Sequence, residues 1–350
     1  MLRDFLIYGA YGYTGRLVTG RAVRERLSPV LAGRDREQLA ALATEHDLEH
    51  RTFALDDPDA LDSGLRGISA VIHCAGPFSR TSGPMLQACL RNRVHYLDIT
   101  GEIAVLEALA ARDTDARQAG IMLLPGCGFD VVPSDCLAAH LGQRLPRAAR
   151  LALAFRGLDR ISRGTALTTL ESLSSPGSVR RDGRITAVPP AWHTRRIDFG
   201  DGAVTAATIP WGDVATAWYS TGIPDIEVYA ALPVAAIRAL RLSRHLGWLL
   251  GSAPVQALLR RRVRAGPAGP DAAQRQRSPA FLWGEAADHA GNAVRARLRT
   301  PNGYTLTAMT AVEIARRVVE GGARPGFHTP SRAFGADFIL EFEGTAREEL

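Results

Sequence analysis

The apolar run Phe5-Leu6-Ile7-Tyr8 leads directly into Gly9-Ala10-Tyr11-Gly12-Tyr13-Thr14-Gly15, and a helical pattern follows. A second short apolar run, Pro29-Val30-Leu31-Ala32, ends at Gly33-Arg34. Strand, glycine-rich turn, helix and second strand in this order form the opening of a dinucleotide-binding unit. Each glycine has its own reason. Gly9 lets the chain turn out of the strand, Gly12 lets a pyrophosphate approach the backbone, and Gly15 lets the helix pack closely on the sheet. The helix N-terminus then offers N–H groups and a partial positive charge to phosphate.

The residue type after the second strand selects the cofactor. An acid there would hold the ribose 2′-hydroxyl of NAD, whereas arginine suits the 2′-phosphate of NADP. Arg34, with Arg36 close by, predicts NADP(H), and Asp35 between them leaves NAD(H) as the less favoured alternative. The expected cofactor-binding residues are Gly9, Ala10, Gly12, Tyr13, Thr14, Gly15, Arg34 and Asp56, with Cys74, Ala75, Gly76 and Pro77 running past the nicotinamide ribose.

With 350 residues the chain has room for two domains, and 46% apolar with 22% charged residues is ordinary for a globular protein. All 42 basic residues are arginine. The absence of lysine excludes a Schiff-base lysine and a Tyr-x-x-x-Lys pair. Cys74, Cys89, Cys127 and Cys136 lie far apart, so they read as packed thiols, and no metal site is expected. The Arg260-Arg261-Arg262 cluster lacks a nucleic-acid motif, so no nucleic-acid partner is expected. No charged-then-apolar leader opens the chain, which predicts a cytoplasmic location. A homodimer is among the assemblies the sequence allows.

Strand and helix patterns alternate through the first third. Strands are predicted at 51–55, 70–74, 94–98 and 121–124, helices at 36–46 and 84–91, and one long helix at 103–119. The fold class is α/β: an N-terminal doubly wound Rossmann domain, with a second α+β domain built on a mostly antiparallel sheet. The expected divisions are 1–130 for the NADP-binding domain, 131–310 for the second domain, and 311–350 for a C-terminal return packing on the Rossmann domain. Residues 305–307 read as a strand, and 234–262 as a mostly apolar helical region whose longest stretch without a formal charge, 245–259, is too short and proline-broken for a membrane span.

In an open parallel sheet, ligands lie beyond the carboxyl ends of the strands. The peptide Tyr96-Leu97-Asp98-Ile99-Thr100-Gly101-Glu102 gathers Asp98, Thr100 and Glu102 there, as orienters of substrate or as a proton relay. The alternative is that Thr100 caps the following helix. Cys127-Gly128-Phe129-Asp130 adds Asp130, and Ser134 or Asp135 reads as a helix cap. Cys127 reads as a packed thiol rather than a nucleophile. Asp98, Thr100, Glu102 and Asp130 are the catalytic candidates. Ser162-Arg163-Gly164-Thr165 with Glu171 either faces the cofactor or forms a solvated loop.

Four peptides carry a resemblance: 8–16 (Tyr8 to Arg16), Cys74-Ala75-Gly76-Pro77-Phe78, His95 to Glu102, and Pro125 to Asp130. They are similar to saccharopine dehydrogenase-like oxidoreductases, a group that includes the trans-acting enoyl reductases of bacterial lipid synthesis. Segments 162–166 and 329–338 also resemble bacterial members. The resemblance implies an NADP-binding Rossmann domain and an α/β second domain inserted before a C-terminal return. It does not imply saccharopine as substrate, and without lysine the Lys-His chemistry of lysine-forming members is ruled out.

The expected function is an NADP(H)-dependent oxidoreductase, read as a reductase transferring hydride to a C=C or C=N bond of a small or hydrophobic substrate. Trp211, Trp218, Trp248 and Trp283 would suit an apolar substrate or simply fill a core. The alternatives are an imine or amino-acid dehydrogenase with Arg163 and Arg332 as a carboxylate clamp, and a non-catalytic NADP-binding, lipid-associated protein using residues 234–262. Peripheral membrane contact belongs to that last reading.

Overall fold

The computed structural model describes residues 5–157, 162–172, 176–244 and 252–350. They form two compact units, Met1–Val132 with Tyr304–Ala333, and Pro133–Gly303 with Phe334–Leu350.

The first unit is built on six parallel strands, β1 (Phe5–Tyr8), β2 (Val30–Gly33), β3 (His50–Thr52), β4 (Ala70–His73), β5 (His95–Asp98) and β6 (Met122–Leu124). They lie in the order β3-β2-β1-β4-β5-β6, and a two-residue strand, Gly326–Phe327, adds a parallel edge beside β6. This order is the doubly wound arrangement, with the sequence order reversing between β1 and β4. Parallel strands covered on both faces read as unbroken apolar runs, and every residue of β1, β2 and β4 is buried. Phe5, Leu6 and Ile7 are 1% exposed or less, each contributing about 2 kcal/mol by leaving water.

The helices are α1 (Tyr13–Arg24), α2 (Arg36–His46), α3 (Pro58–Gly64), α4 (Phe78–Asn92), α5 (Ile103–Ala110) and α6 (Asp113–Ala119). α3 has no counterpart in the sequence expectation, and the helices expected at 84–91 and 103–119 differ from it. The start of α4 lies at Phe78 rather than Pro84, which sits inside the helix, because the Glu102 carboxylate accepts from the Phe78 and Ser79 amides and caps an earlier turn. The single helix expected at 103–119 is divided into α5 and α6. Arg112 leaves helical geometry there, and the Asp113 side chain at the start of α6 accepts from the Phe327 amide of the edge strand.

The second unit holds a nine-stranded mixed sheet. Its strands are β7 (Arg150–Arg156), β8 (Gly177–Arg181), β9 (Arg184–Val188), β10 (Thr194–Asp198), β11 (Ala203–Thr208), β12 (Asp225–Ala231), β13 (Ala280–Ala287), β14 (Ala293–Thr300) and a last strand, Ala346–Glu349. Pairing is antiparallel apart from β7 with β12. Helix α7 (Val132–Arg144) packs on this sheet through Leu137 and Leu141, whose methyls occupy the space a side chain at Gly284 would need. Trp283 lies in the apolar cluster with Ala154, Ile197, Phe199 and Tyr229, and Trp211 stacks on Phe155. Trp218 faces the Arg180 guanidinium. These three tryptophans are structural in this unit, and Trp248 lies outside the described residues.

The expected return segment is divided between the units. Residues up to Ala333 belong with the parallel sheet, and the remainder belongs with the mixed sheet, where Ala346–Glu349 pairs with β14. Residues 305–307, expected as a strand, lie within the helix Gly303–Arg317, whose burial on every side from Leu306 to Val312 outweighs the β-branched threonines. No helix among the described residues is long and apolar enough to cross a membrane.

The turn between β1 and α1 is sterically closed at one glycine and open at another. A Cβ on Gly15 would lie 2.2 Å from the Gly9 carbonyl oxygen, whereas a Cβ on Gly12 meets only that same oxygen, at 3.2 Å. Gly15→Ala is therefore expected to destabilise the protein by about 3 kcal/mol, and Gly12→Ala by less than about 1 kcal/mol. Urea unfolding of the two variants checks this ordering.

Candidate functional site

At the carboxyl ends of β1 and β2 the chain builds a cradle for a dinucleotide. Gly9 adopts φ +80°, which turns the backbone out of β1, and its missing side chain leaves room for Ala75, whose Cβ would otherwise lie 2.9 Å away. Gly12 is the N-cap of α1, and neither a side-chain cap nor an acidic residue occupies the first turn of that helix. The amides and the positive end of the dipole are thus left to an external anion. Ala10 is buried, and Tyr13 and Thr14 form the first helical positions. This geometry fits a pyrophosphate.

Arg34 stands exposed just past β2, with no carboxylate in ion-pairing distance among the described residues. Asp35 is occupied elsewhere. It is the N-cap of α2 and accepts from the Gln38 amide at 3.1 Å and from the Gln38 side chain at 2.6 Å, contacts that hold its carboxyl below the usual range. The acid that kept NAD in play therefore has a local structural task, and the arginine beside it is the group left for a 2′-phosphate.

Tyr8 links this end of the cradle. Its hydroxyl donates to the Phe53 carbonyl at 3.2 Å, and burial pushes its pKa up to about 12. Tyr11 and Asp56 raise it further while Arg34 draws it back, so the four groups share one electrostatic neighbourhood. Tyr11 is absent from the sequence expectation. Its ring lies against Gly33, where a Cβ would come within 2.5 Å, which packs it on the end of β2. The signal for it was Gly33, a glycine ending a strand that otherwise favours larger residues.

Cys74, Ala75, Gly76 and Pro77 connect β4 to α4, with a cis peptide at Gly76-Pro77. Thr81 donates to the Ala75 carbonyl at 2.7 Å and pins this strap. Burial raises the Cys74 thiol to about 12.

The four catalytic candidates occupy different environments. Asp98 is fully buried at the end of β5. Its carboxylate accepts from the Tyr96 hydroxyl (2.7 Å), the Thr100 amide (2.9 Å) and the Gly126 amide (2.9 Å), while its carbonyl accepts from the Cys127 amide (2.7 Å). Burial raises its pKa to about 6 against the pull of these three donors. Asp98 thereby ties the end of β5 to the loop after β6. Thr100 is also fully buried, and its hydroxyl accepts from the Glu102 amide at 3.1 Å. Glu102 caps α4 with both carboxylate oxygens, at 2.8 Å from the Phe78 amide and 2.9 Å from the Ser79 amide.

Asp130 stands apart. It accepts no hydrogen bond from the described residues, keeps partial access to solvent, and has its pKa raised to about 6 by burial alone. It packs against Gly101, where a Cβ would lie 2.9 Å from the Asp130 Cβ and 3.1 Å from Oδ2. The Asp98-to-Glu102 peptide and the Cys127-to-Asp130 peptide are therefore brought together, with Gly101 making the space. From the helix Gly303–Arg317, Thr307 accepts from the Phe129 amide (2.9 Å) and Thr310 donates to the Cys127 carbonyl (2.6 Å), so the backbone carrying Asp130 is held on both sides.

Cys127 is buried, with its thiol pKa pushed well up by burial, and its Sγ lies 3.0 Å from the Leu124 carbonyl. That is the state of a packed thiol. Arg163 donates to the Gly266 carbonyl at 2.8 Å, and Arg332 is exposed. Ser162 accepts from the Thr165 amide at the start of a helix, and the Glu171 side chain lies outside the described residues. Asp135 accepts from the Ser220 hydroxyl inside the second unit. Among the described residues no group of three His, Cys, Asp or Glu side chains could hold a metal.

Residues 5–124 match the family model of the saccharopine dehydrogenase NADP binding domain. The saccharopine dehydrogenase-like oxidoreductase of Homo sapiens is 28% identical over 150 residues, covering 37% of this chain and 35% of that protein. The trans-acting enoyl reductase of Mycobacterium leprae (strain TN) is 30% identical over 150 residues, covering 41% of this chain and 36% of that one. The matched stretch is thus about a third of the length of these curated relatives. In fold, the apo saccharopine dehydrogenase (L-Glu forming) of Saccharomyces cerevisiae aligns over 99% of this chain and 100% of its own, with TM-score 0.63 and 11% identity. Residues 5–124 are thus similar to the NADP-binding domain of saccharopine dehydrogenases, a likeness that favours NADP as the cofactor.

Removing the Asp98 carboxylate would leave the Tyr96 hydroxyl and two backbone amides buried without acceptors. Asp98→Ala is expected to cost about 3 kcal/mol or more. Asp98→Asn keeps acceptor capacity and should cost less. Thermal unfolding near neutral pH measures both.

Proposed function

We propose that the chain is an NADPH-dependent reductase that delivers hydride to a C=C or C=N bond of a small or hydrophobic substrate, with Asp130 handling the proton. The observation that carries the proton assignment is the contrast among the four candidates. Asp98 and Glu102 are saturated by donors of the chain itself, and Thr100 is spent on a turn. Asp130 alone of the four has a carboxyl without a partner, raised to about 6. A group of that pKa is suited to general acid catalysis near neutral pH.

When bound, the nicotinamide supplies the hydride. The chain's own residues divide the remaining work. The uncapped first turn of α1 holds the pyrophosphate, Arg34 holds the 2′-phosphate, and the 74–77 strap lines the nicotinamide end. Asp130, held by Thr307 and Thr310 through its backbone neighbours, gives its proton to the substrate atom that accumulates negative charge.

Between the two bond types, a C=C bond in an uncharged, apolar substrate is favoured. A substrate carboxylate would seek an anion site. The α4 N-terminus is already filled by Glu102. The trans-acting enoyl reductase name of the mycobacterial relative points to the same chemistry.

Asp130 must be protonated to act as acid, so reduction should be fastest below pH about 6 and fall as pH rises through it. NADPH oxidation with a trans-2-enoyl thioester, and with a cyclic imine for comparison, would follow this limb. Asp130→Asn is expected to remove the limb and lower kcat by about a hundredfold or more. Its stability should move the other way. A carboxyl whose folded pKa lies above its ordinary 3.8 destabilises the fold increasingly as pH rises past about 4, with the full cost present above about 6. Asp130→Asn should therefore be more stable at pH 7, by about 2 kcal/mol. A variant with unchanged pH profile would assign the proton to another group.

A further inference from the structure

The net charge of the chain is concentrated in one segment. Between Val228 and Pro270 there is no Asp or Glu, and seven arginines occur: Arg238, Arg241, Arg244, Arg260, Arg261, Arg262 and Arg264. The whole chain carries +6, so the rest of it is close to neutral. Two helices of the second unit, Val234–Ser243 and Ala253–Ala265, bear six of these residues, and Arg244 directly follows the first.

Both helices have an inner and an outer side. On the first, Ile237 is buried and packs with Ala191 and Ala207, with Leu240 against the same cluster. On the second, Gln256 is buried and donates to the Leu170 carbonyl at 3.2 Å. The outer sides mix cations with apolar groups. Val234 (54% exposed) and Leu242 (61%) stand beside Arg238 and Arg241, and Leu258 (62%) stands one turn from Arg261 and Arg262. These are three of the seven large apolar side chains most exposed on the described surface.

We infer that these two helices form a docking surface for an anionic phospholipid bilayer, lying along the interface rather than across it. Charge complementarity selects the occupant. A second copy of this chain would set one net-positive segment against another, like charge facing like. A nucleic acid would match the arginines but leave Leu242 and Leu258 facing its backbone, with no aromatic ring among the outer residues named to stack on a base. A bilayer interface accepts both, with phosphate headgroups for the guanidinium groups and the acyl boundary for leucine and valine. Helices of 10 and 13 residues are too short to span it. The inference is independent of the reductase reading.

Sedimentation of the full chain with vesicles tests it. With equal parts phosphatidylglycerol and phosphatidylcholine, the protein is expected to pellet, and with phosphatidylcholine alone to stay in the supernatant. Two double variants, Arg261→Glu with Arg262→Glu, and Leu242→Glu with Leu258→Glu, should each weaken binding about tenfold or more. Circular dichroism and NADPH binding serve as controls that each variant folds. Absence of pelleting, equal pelleting with both lipids, or pelleting that survives both double variants would overturn the inference. So would binding to duplex DNA with no binding to anionic vesicles.

Discussion

The turn from Gly9 to Gly15 is the constraint on which the parallel unit and its site depend. At one end the backbone needs a positive φ. At the other, the first turn of α1 approaches the Gly9 carbonyl so closely that no side chain fits at Gly15. This approach sets the helix against the sheet and aims its N-terminus at the carboxyl edge of β1. Since no side chain among the described residues caps that terminus, the same turn that closes the packing leaves its first turn open to an anion.

A second helix terminus is treated in the opposite way. Glu102, from the loop beyond β5, fills the amides at the start of α4 with both of its oxygens. One helix terminus is thereby left without a side-chain cap while another is satisfied internally. Asp98 repeats this logic between β5 and β6, where a single buried carboxylate collects a phenol and two amides. Such internal saturation fixes the strand ends as a rigid frame, and it isolates Asp130 as the carboxyl with unused capacity.

Much of the parallel unit was legible because its elements obey local rules. The β1 run, the three glycines and Arg34 each have a period, a steric need or a charge that a sequence displays directly. The departures came where a distant side chain decided a local outcome. Pro84 reads as a helix start by propensity, yet Glu102, 24 residues beyond Phe78, moved that start to Phe78. The break at Arg112 depends on the reach of Asp113 to Phe327, and the helix from Gly303 overrides a strand-like threonine pattern because two consecutive turns of it are buried on every side. Asp98, Thr100, Glu102 and Asp130 were found as a group, because polar residues beyond strand ends stand out in sequence. Their separation into saturated and free carboxyls was not legible, since it rests on which backbone amides come within 3 Å. Tyr11 was missed for a related reason: its place against Gly33 arises only when β1 and β2 pair.

The central claim is that the cradle at β1 and β2 holds NADPH through Arg34. Fluorescence titration of NADPH and NADH against the wild-type chain and Arg34→Ala tests it most directly. The account predicts that NADPH binds more tightly than NADH, that Arg34→Ala weakens NADPH by about tenfold or more, and that NADH affinity scarcely changes. Equal binding of the two nucleotides to wild type, or binding of neither, would contradict it.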